Sequence, residues 1–479
     1  MANGGHFGVF FMDERKMSII VQSLFSSWML AFLFEGQILY SLSDAFDYDP
    51  TVMVFGGIAA IFAGLLLCGF LIKTKRAAKR LFLCSYAFFI AVSIVFFFPP
   101  SVFWILGIIA SALLAGGCVA AWGFYFRSGT PKNERIKTAA DVLIYSNALM
   151  ILLNMTAAYL SPHAGLALSM VILLCAFLFA LRLPADDVTS PPPSPRQKEN
   201  PSSIVGILAF LCLFIVIITI NSGLMYQVIN PVFRHLEWLT NWYWAIPYIA
   251  AIIIMRNLPR RTNRAYILYV AIAMIGLAFI GFMSLDRSAV SYLVVNTLML
   301  GAFGVYDLFW WSILGEMLDM GKNPARVFGI GLSANVLGVL LGGLIGNIIT
   351  SSNLPGPNPT LLALAVVCVT LALLPLLHKH LSSLLKDHAY LAVFSEMPPG
   401  EQARVTGRFE EFACLSERES QVAALLLQKK TYKAIAGELS ISENTVKYYV
   451  KNIYAKFNIQ SRSELIDMIL ADGDTTATD

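Results

Sequence analysis

Residues 102–126, VFWILGIIASALLAGGCVAAWGFYF, run for 25 positions without a charged side chain. As a helix rising about 1.5 Å per residue, the stretch is long enough to cross a hydrocarbon core about 30 Å thick. Similar runs lie at 17–40, 51–72 and 81–98 before it, and at 142–160, 165–183, 204–224, 241–255, 265–284, 290–318, 328–349 and 361–377 after it. The composition agrees: 57% of the 479 residues are hydrophobic and 13% are charged, where an ordinary soluble domain carries about 25% charged. Such a surplus cannot be hidden in one globular core, because apolar interiors stop growing with chain length. A soluble globular protein is thereby excluded. The expected fold class is an all-α polytopic membrane helical bundle of about twelve transmembrane helices, followed by a small four-helix domain. The first run follows Arg15 and Lys16 and precedes Ser41-Leu42-Ser43, a pattern that imitates a signal peptide. It exceeds the roughly 7–15 residues of a signal core, so it reads as an uncleaved first span behind a cytoplasmic N-terminus of residues 1–16.

Alternate loops carry 20 Lys and Arg on one side of the bundle, against only Arg234 and Arg287 on the other. The positive-inside rule then predicts a multi-pass protein of the inner (cytoplasmic) membrane with both termini in the cytoplasm. Residues 184–203, PADDVTSPPPSPRQKENPSS, are rich in Pro and Ser and read as a cytoplasmic linker between two six-span halves, 17–183 and 204–377. From His378 to the end, 12 Lys+Arg and 14 Asp+Glu crowd into 102 residues. The chain there changes solvent. Residues 378–414, with the break Met397-Pro398-Pro399-Gly400, form a second linker, 415–471 a water-facing domain and 472–479 a tail. Six of the seven cysteines fall inside apolar runs and none stands at metal-ligand spacing.

The six-plus-six plan resembles the major facilitator superfamily across residues 17–377, a family whose halves are parallel repeats around a midplane site. Residues 69–80, GFLIKTKRAAKR, keep the basic character of that family's signature loop and lack its acidic residue and second glycine, which weighs against proton-coupled transport. The resemblance implies a central cavity lined by spans one, four, seven and ten. A carboxylate at mid-bilayer costs about 2.5–3.5 kcal/mol on insertion scales and so faces a cavity or a partner. Glu35 in span one and Asp307 in span ten lie deepest. Asn221 and Tyr226 of span seven, and Tyr306, Trp310 and Trp311 of span ten, join them as candidate ligand-sensing residues. Interhelical hydrogen bonding with no ligand is the alternative. Glu316 and Asp319 lie nearer the cytoplasm, where solvent, Lys322 or Arg326 would satisfy them. Trp238, Trp242, Tyr243, Trp244 and Tyr248 read as an interfacial aromatic belt. Gly338, Gly342 and Gly346 recur every four residues, a spacing that permits close helix contact within the bundle.

In the C-terminal domain the period changes. Ser416 and Glu419 form the capping box of a first helix whose buried face is Val422, Leu425 and Leu426. Residues 431–439 make a short second helix, and a third runs from Ser442 through Phe457. Ser461 and Glu464 repeat the capping box before a fourth helix, 465–471. Val446, Val450 and Ile453 share the inward face of the third helix, leaving Lys447, Tyr448 and Lys451 outward. Two short helices joined by a tight turn, the second with outward cations, form a helix-turn-helix fit for a major groove.

The residues Leu415-Ser416-Glu417-Arg418-Glu419, Ile435-Ala436, Leu439, Ile441-Ser442, Thr445-Val446-Lys447, Ile453-Tyr454-Ala455-Lys456 and Arg462 resemble the LuxR-type helix-turn-helix over 415–471. Departures are Lys429 for a usual glycine, Ala434 for a common acid and Tyr449 for a usual histidine. The resemblance implies base-facing roles for Lys447, Tyr448 and Lys451, and DNA-backbone contacts for Thr431, Lys433, Asn444 and Thr445. In the fourth helix Leu465 and Ile469 share one face and Ile466 and Leu470 another. One pair enters the core and the other forms a homodimer surface, and the sequence leaves open which does which. No glycine-rich phosphate loop, nucleophile elbow or metal-ligand cluster occurs, so neither catalysis nor a cofactor is expected. The expected function is a membrane-tethered transcriptional regulator, whose transporter-like membrane domain senses a small ligand or membrane state. Its expected partners are double-stranded promoter DNA, membrane lipid and an unidentified small-molecule ligand. The alternative is an active permease with an autoregulatory DNA-binding tail.

Overall fold

The computed structural model describes residues 13–34, 36–131, 134–185, 201–258, 264–319, 323–351, 360–376, 415–427, 430, 432–457, 459 and 465. Helices are the only regular elements among them, as lipid requires of a segment that must satisfy its own backbone groups. Eleven described helices are long and apolar enough to cross a membrane, and the twelfth run is the shorter apolar helix Thr360–Leu376. Large apolar side chains cover the outside of this bundle, with Leu71, Phe103 and Val290 each about 70% exposed. Lipid rather than water suits such a surface.

Several spans differ from the apolar runs that announced them. The fifth is the helix Arg135–Tyr159, beginning well before residue 142. Hydropathy marks only the lipid-facing part of a helix, whereas the hydrogen-bonded ladder continues into the polar turns. The basic loop after span two is largely helical for the same reason. Span two ends at Leu71, and the third span, Lys75–Ser93, starts with Thr74 accepting a hydrogen bond from the Ala77 N–H. Lys79 then caps span six, donating to the carbonyls of Leu181 and Leu183 at 2.9 and 2.6 Å.

Spans one and seven, which correspond in the two halves, are both irregular. The helix Glu14–Trp28 passes into a π turn, Met29–Leu33, and the chain resumes as Gln37–Ala45. A side chain at Gly36 would overlap the carbonyl of Ala31, so glycine is required at that interruption of the span. The helix Pro201–Leu224 likewise passes into the π turn Met225–Ile229. Such turns recur at functional positions. Span eight is broken between Glu237–Tyr243 and Ile246–Arg256, with Pro247 in the first turn of the second piece.

Packing fixes how the spans are rotated. Phe25 and Trp28 of span one stack on Tyr86 and Phe89 of span three at 5.1 and 4.6 Å between ring centres, contacts worth about 0.5–1.5 kcal/mol each beyond burial. The eleventh span, Pro324–Ser351, lays Gly338 and Gly342 against the backbone of span seven at Val216 and Ile220, and Gly346 against Gln227. The glycine stripe therefore serves contact within the bundle.

The membrane spans and the C-terminal domain form two compact units. The C-terminal unit contains the helices Glu417–Leu427, Tyr432–Glu438 and Glu443–Lys456. Its core gathers Val422, Leu426, Ile435, Val446, Val450 and Ile453, each less than 5% exposed, together with Leu465.

Candidate nucleic-acid interface and membrane cavity

The helix-turn-helix is assembled by short-range hydrogen bonds. Glu419 accepts from the Ser416 N–H at 2.8 Å, and the Ser416 hydroxyl accepts from the Glu419 N–H at 3.3 Å, a reciprocal capping box. Glu419 also accepts from Lys456 at 2.7 Å, joining the start of the first helix to the end of the third. Burial alone would raise the Glu419 carboxyl. The hydrogen bonds from Lys456 and from Ser416 outweigh that and hold it below the usual range. The turn into the recognition helix has Ser440 at φ 55°, in the left-handed region, and the Ile441 N–H closes back onto the Ala436 carbonyl at 2.9 Å. Ser442 then caps the recognition helix, accepting from the Thr445 N–H at 3.1 Å.

On that helix Lys447, Tyr448 and Lys451 are exposed, Tyr448 by 61%. Lys447 lies one turn from Glu443, at 3.7 Å. Asn444 is exposed, and the Thr445 hydroxyl lies 2.7 Å from that of Ser442. Lys433 sits on the second helix, and Thr431 lies outside the described residues. Tyr449 packs against the core with its ring beside Tyr448, so its departure from histidine acts on packing as well as on the surface. Lys430, which the sequence reading passed over, pairs with Glu438 across the second helix. Leu465 is fully buried in the domain's own core, which removes it from the candidate dimer surface. Ile466, Ile469 and Leu470 lie outside the described residues.

In the membrane unit a cavity of about 210 Å³ lies between the halves. Tyr226, Tyr306, Asp307 and Trp311 line it, as does part of the π turn of span one at Met29 and Leu30. Asp307 is half-buried. Its Oδ2 accepts from the Tyr248 hydroxyl at 2.8 Å and its Oδ1 from the Asn335 amide at 3.3 Å. Tyr306 lines the wall while its hydroxyl donates to the Leu268 carbonyl at 3.0 Å.

Two of the candidates stand elsewhere. Trp310 is buried, donates to the Gly331 carbonyl at 3.1 Å and does not line the cavity. Asn221 is fully buried behind the wall, its amide without a hydrogen-bond partner among the described residues. Glu35 lies outside the described residues. The reading of an aromatic belt is corrected at two positions. Trp244, at the break in span eight, and Tyr248, in its second piece, line the cavity, whereas Trp238 is 60% exposed. Spans five, eight and eleven supply Asn147, Tyr248 and Asn335 to the wall, beyond spans one, four, seven and ten. The two asparagines were visible as polar interruptions of apolar runs; what hid them was their lack of charge.

On the side of the basic loops the cavity is floored by aromatic side chains. Trp311 lies 5.9 Å from Trp122 and 5.2 Å from Phe328 between ring centres. Beyond them, polar ties join the two halves. Arg256 donates to Asp141 at 2.7 Å, and the Asn323 amide donates to the carbonyls of Gly69 and Ile72 at 2.8 and 2.9 Å.

The membrane unit shares its fold with solved transporters. A bacterial homologue of the iron transporter ferroportin, in an outward-facing state, matches with a TM-score of 0.56 over 77% of this chain and 97% of its own. The major facilitator superfamily proton:xylose symporter XylE matches with a TM-score of 0.59 over 76% and 94%. Sequence identities of 14% and 12% make this a likeness of fold alone. Residues 413–469 match the family described as bacterial regulatory proteins, luxR family. The spore germination protein GerE of Bacillus subtilis (strain 168) is 39% identical over 66 residues, 14% of this chain and 89% of that protein. The nitrate/nitrite response regulator protein NarP of Escherichia coli (strain K12) is 43% identical over 53 residues, 11% of this chain and 25% of that protein. Through its C-terminal helix-turn-helix, the chain belongs to the LuxR family of bacterial regulatory proteins.

Proposed function

We propose that this protein is a membrane-tethered transcriptional regulator in which the transporter-like bundle senses a small ligand in its central cavity and the helix-turn-helix binds promoter DNA. The observation that carries the reading is the recognition helix. It presents Lys447, Tyr448 and Lys451 outward from a LuxR-family domain, on the same chain as a bundle with a cavity that holds a half-buried carboxylate. The 20-to-2 division of Lys and Arg among the loops supports an inner-membrane location with that domain in the cytoplasm. A homodimer on DNA would use the remaining face of the fourth helix, Ile466 and Leu470, since Leu465 is occupied in the core.

Mapping of genomic sites bound by the full-length protein tests this reading, with discrete promoters expected and diffuse occupancy counting against it. Uptake assays in reconstituted vesicles separate it from a permease with an autoregulatory tail. The basic loop without its acidic residue favours sensing over transport. Robust substrate accumulation would reverse that preference.

A further inference from the structure

Asp307 is the only acidic residue among the described residues lining the cavity, and no Lys, Arg or His stands beside it there. Its described partners, Tyr248 and Asn335, are neutral donors. A carboxylate partly shielded from water and left without a counter-charge is costly unless a proton or a cation neutralises it. Four aromatic side chains, Tyr226, Trp244, Phe303 and Trp311, line the same cavity. The negative faces of such rings attract cations and accept apolar groups. We propose that the cavity binds a small organic monocation, its charged head on Asp307 and its apolar body against these rings. The proposal rests on the reading of the bundle as the sensor and names the class of ligand it senses.

The alternative fits less well. A hard metal ion takes several oxygen ligands, and no group of three His, Cys, Asp or Glu exists among the described residues. The volume of about 210 Å³ also sits below the roughly 300–1,000 Å³ of pockets for drug-sized ligands. The occupant is therefore small.

The test uses the full-length protein in lipid nanodiscs, titrated with benzylamine and with its neutral counterpart benzyl alcohol. Trp244 and Trp311 in the wall report binding through their fluorescence. The amine should bind at least about tenfold more tightly than the alcohol. Asp307→Asn should bring the two within about twofold of each other, and Asp307→Glu should retain the preference, which guards against a folding defect. Equal binding of amine and alcohol to the wild type overturns the proposal, as does a preference that survives Asp307→Asn. Saturable binding of neither probe overturns it as well. The same preparation is assayed for promoter binding. Loss of the amine preference with promoter binding intact defeats the ligand class alone, whereas amine binding without any promoter recognition defeats the regulator reading.

Discussion

Arg135 grips Asp319 with both ends of its guanidinium, Nη1 to Oδ2 at 2.8 Å and Nη2 to Oδ1 at 3.1 Å, while Nη1 also donates to the Gly315 carbonyl at 2.7 Å. The pair joins span five of the first half to the end of span ten in the second. Asp319 thus has a described partner other than the Lys322 or Arg326 expected from sequence. Arg326 lies over the Phe70 ring at 5.0 Å, and Lys322 is outside the described residues. Arg135 is 4% exposed, so removing the carboxylate leaves a guanidinium in poor solvent. Asp319→Ala should destabilise the bundle by up to about 3–5 kcal/mol. Adding Arg135→Met should recover much of the loss. Thermal unfolding of the detergent-solubilised variants checks this, and a single variant as stable as the wild type would show that the pair contributes nothing net.

At the DNA interface, a base-reading side chain and a phosphate contact differ in kind. Lys451→Ala should cost about 1–3 kcal/mol on the preferred sequence and relax discrimination. Lys433→Ala should weaken all sequences alike and reduce the salt dependence by about one unit of slope. Titration of specific and scrambled duplexes across salt concentrations distinguishes them. Equal losses on both duplexes for Lys451→Ala would make that lysine a backbone contact.

Ser440 holds φ at 55° in the turn before the recognition helix. Side chains meet the backbone there at a cost of about 1–2 kcal/mol that glycine avoids. Ser440→Gly should therefore raise the melting temperature of the C-terminal domain, and Ser440→Val should lower it. A rise with valine would mean that the turn relaxes to another conformation.

Despite burial, which raises it, the folded-state pKa of Glu419 is held below the usual glutamate range by the hydrogen bonds from Lys456 and Ser416. Its stabilising contribution is present above the ordinary glutamate value of about 4.3 and is lost as pH falls through the lower folded value. Lys456→Ala should reduce the domain's stability at neutral pH and flatten its decline in acid. Denaturant unfolding at a series of pH values measures both, and parallel curves for wild type and variant would exclude this carboxylate as the source.

The charge division among the loops makes a topological prediction. Reporters fused after Ile72 and Met255 should read cytoplasm, and those after Tyr40 and Leu285 the exterior. The reverse pattern would place the helix-turn-helix outside and defeat DNA binding in the cell.

Local physics accounts for the features legible along the chain. A span satisfies its own backbone hydrogen bonds in lipid, so uninterrupted apolar runs locate helices without knowledge of their neighbours. The Ser416–Glu419 box and the Ser442 cap act over three residues, and the inward repeat of Val446, Val450 and Ile453 sets the exposed face of the recognition helix. Long-range packing alone sets Tyr248 on Asp307, 59 residues away, rather than at a membrane interface. It also decided that Arg135 reaches Asp319 across 184 residues, that Trp310 turns out of the cavity beside which Trp311 stays, and that Leu465 points into the core. These outcomes depend on how each helix is rotated and set in height against its neighbours. That rotation follows from close packing at sites such as Gly338 and Gly342 and from the breaks in spans one, seven and eight, where no local run of residues specifies the direction in which the next turn faces.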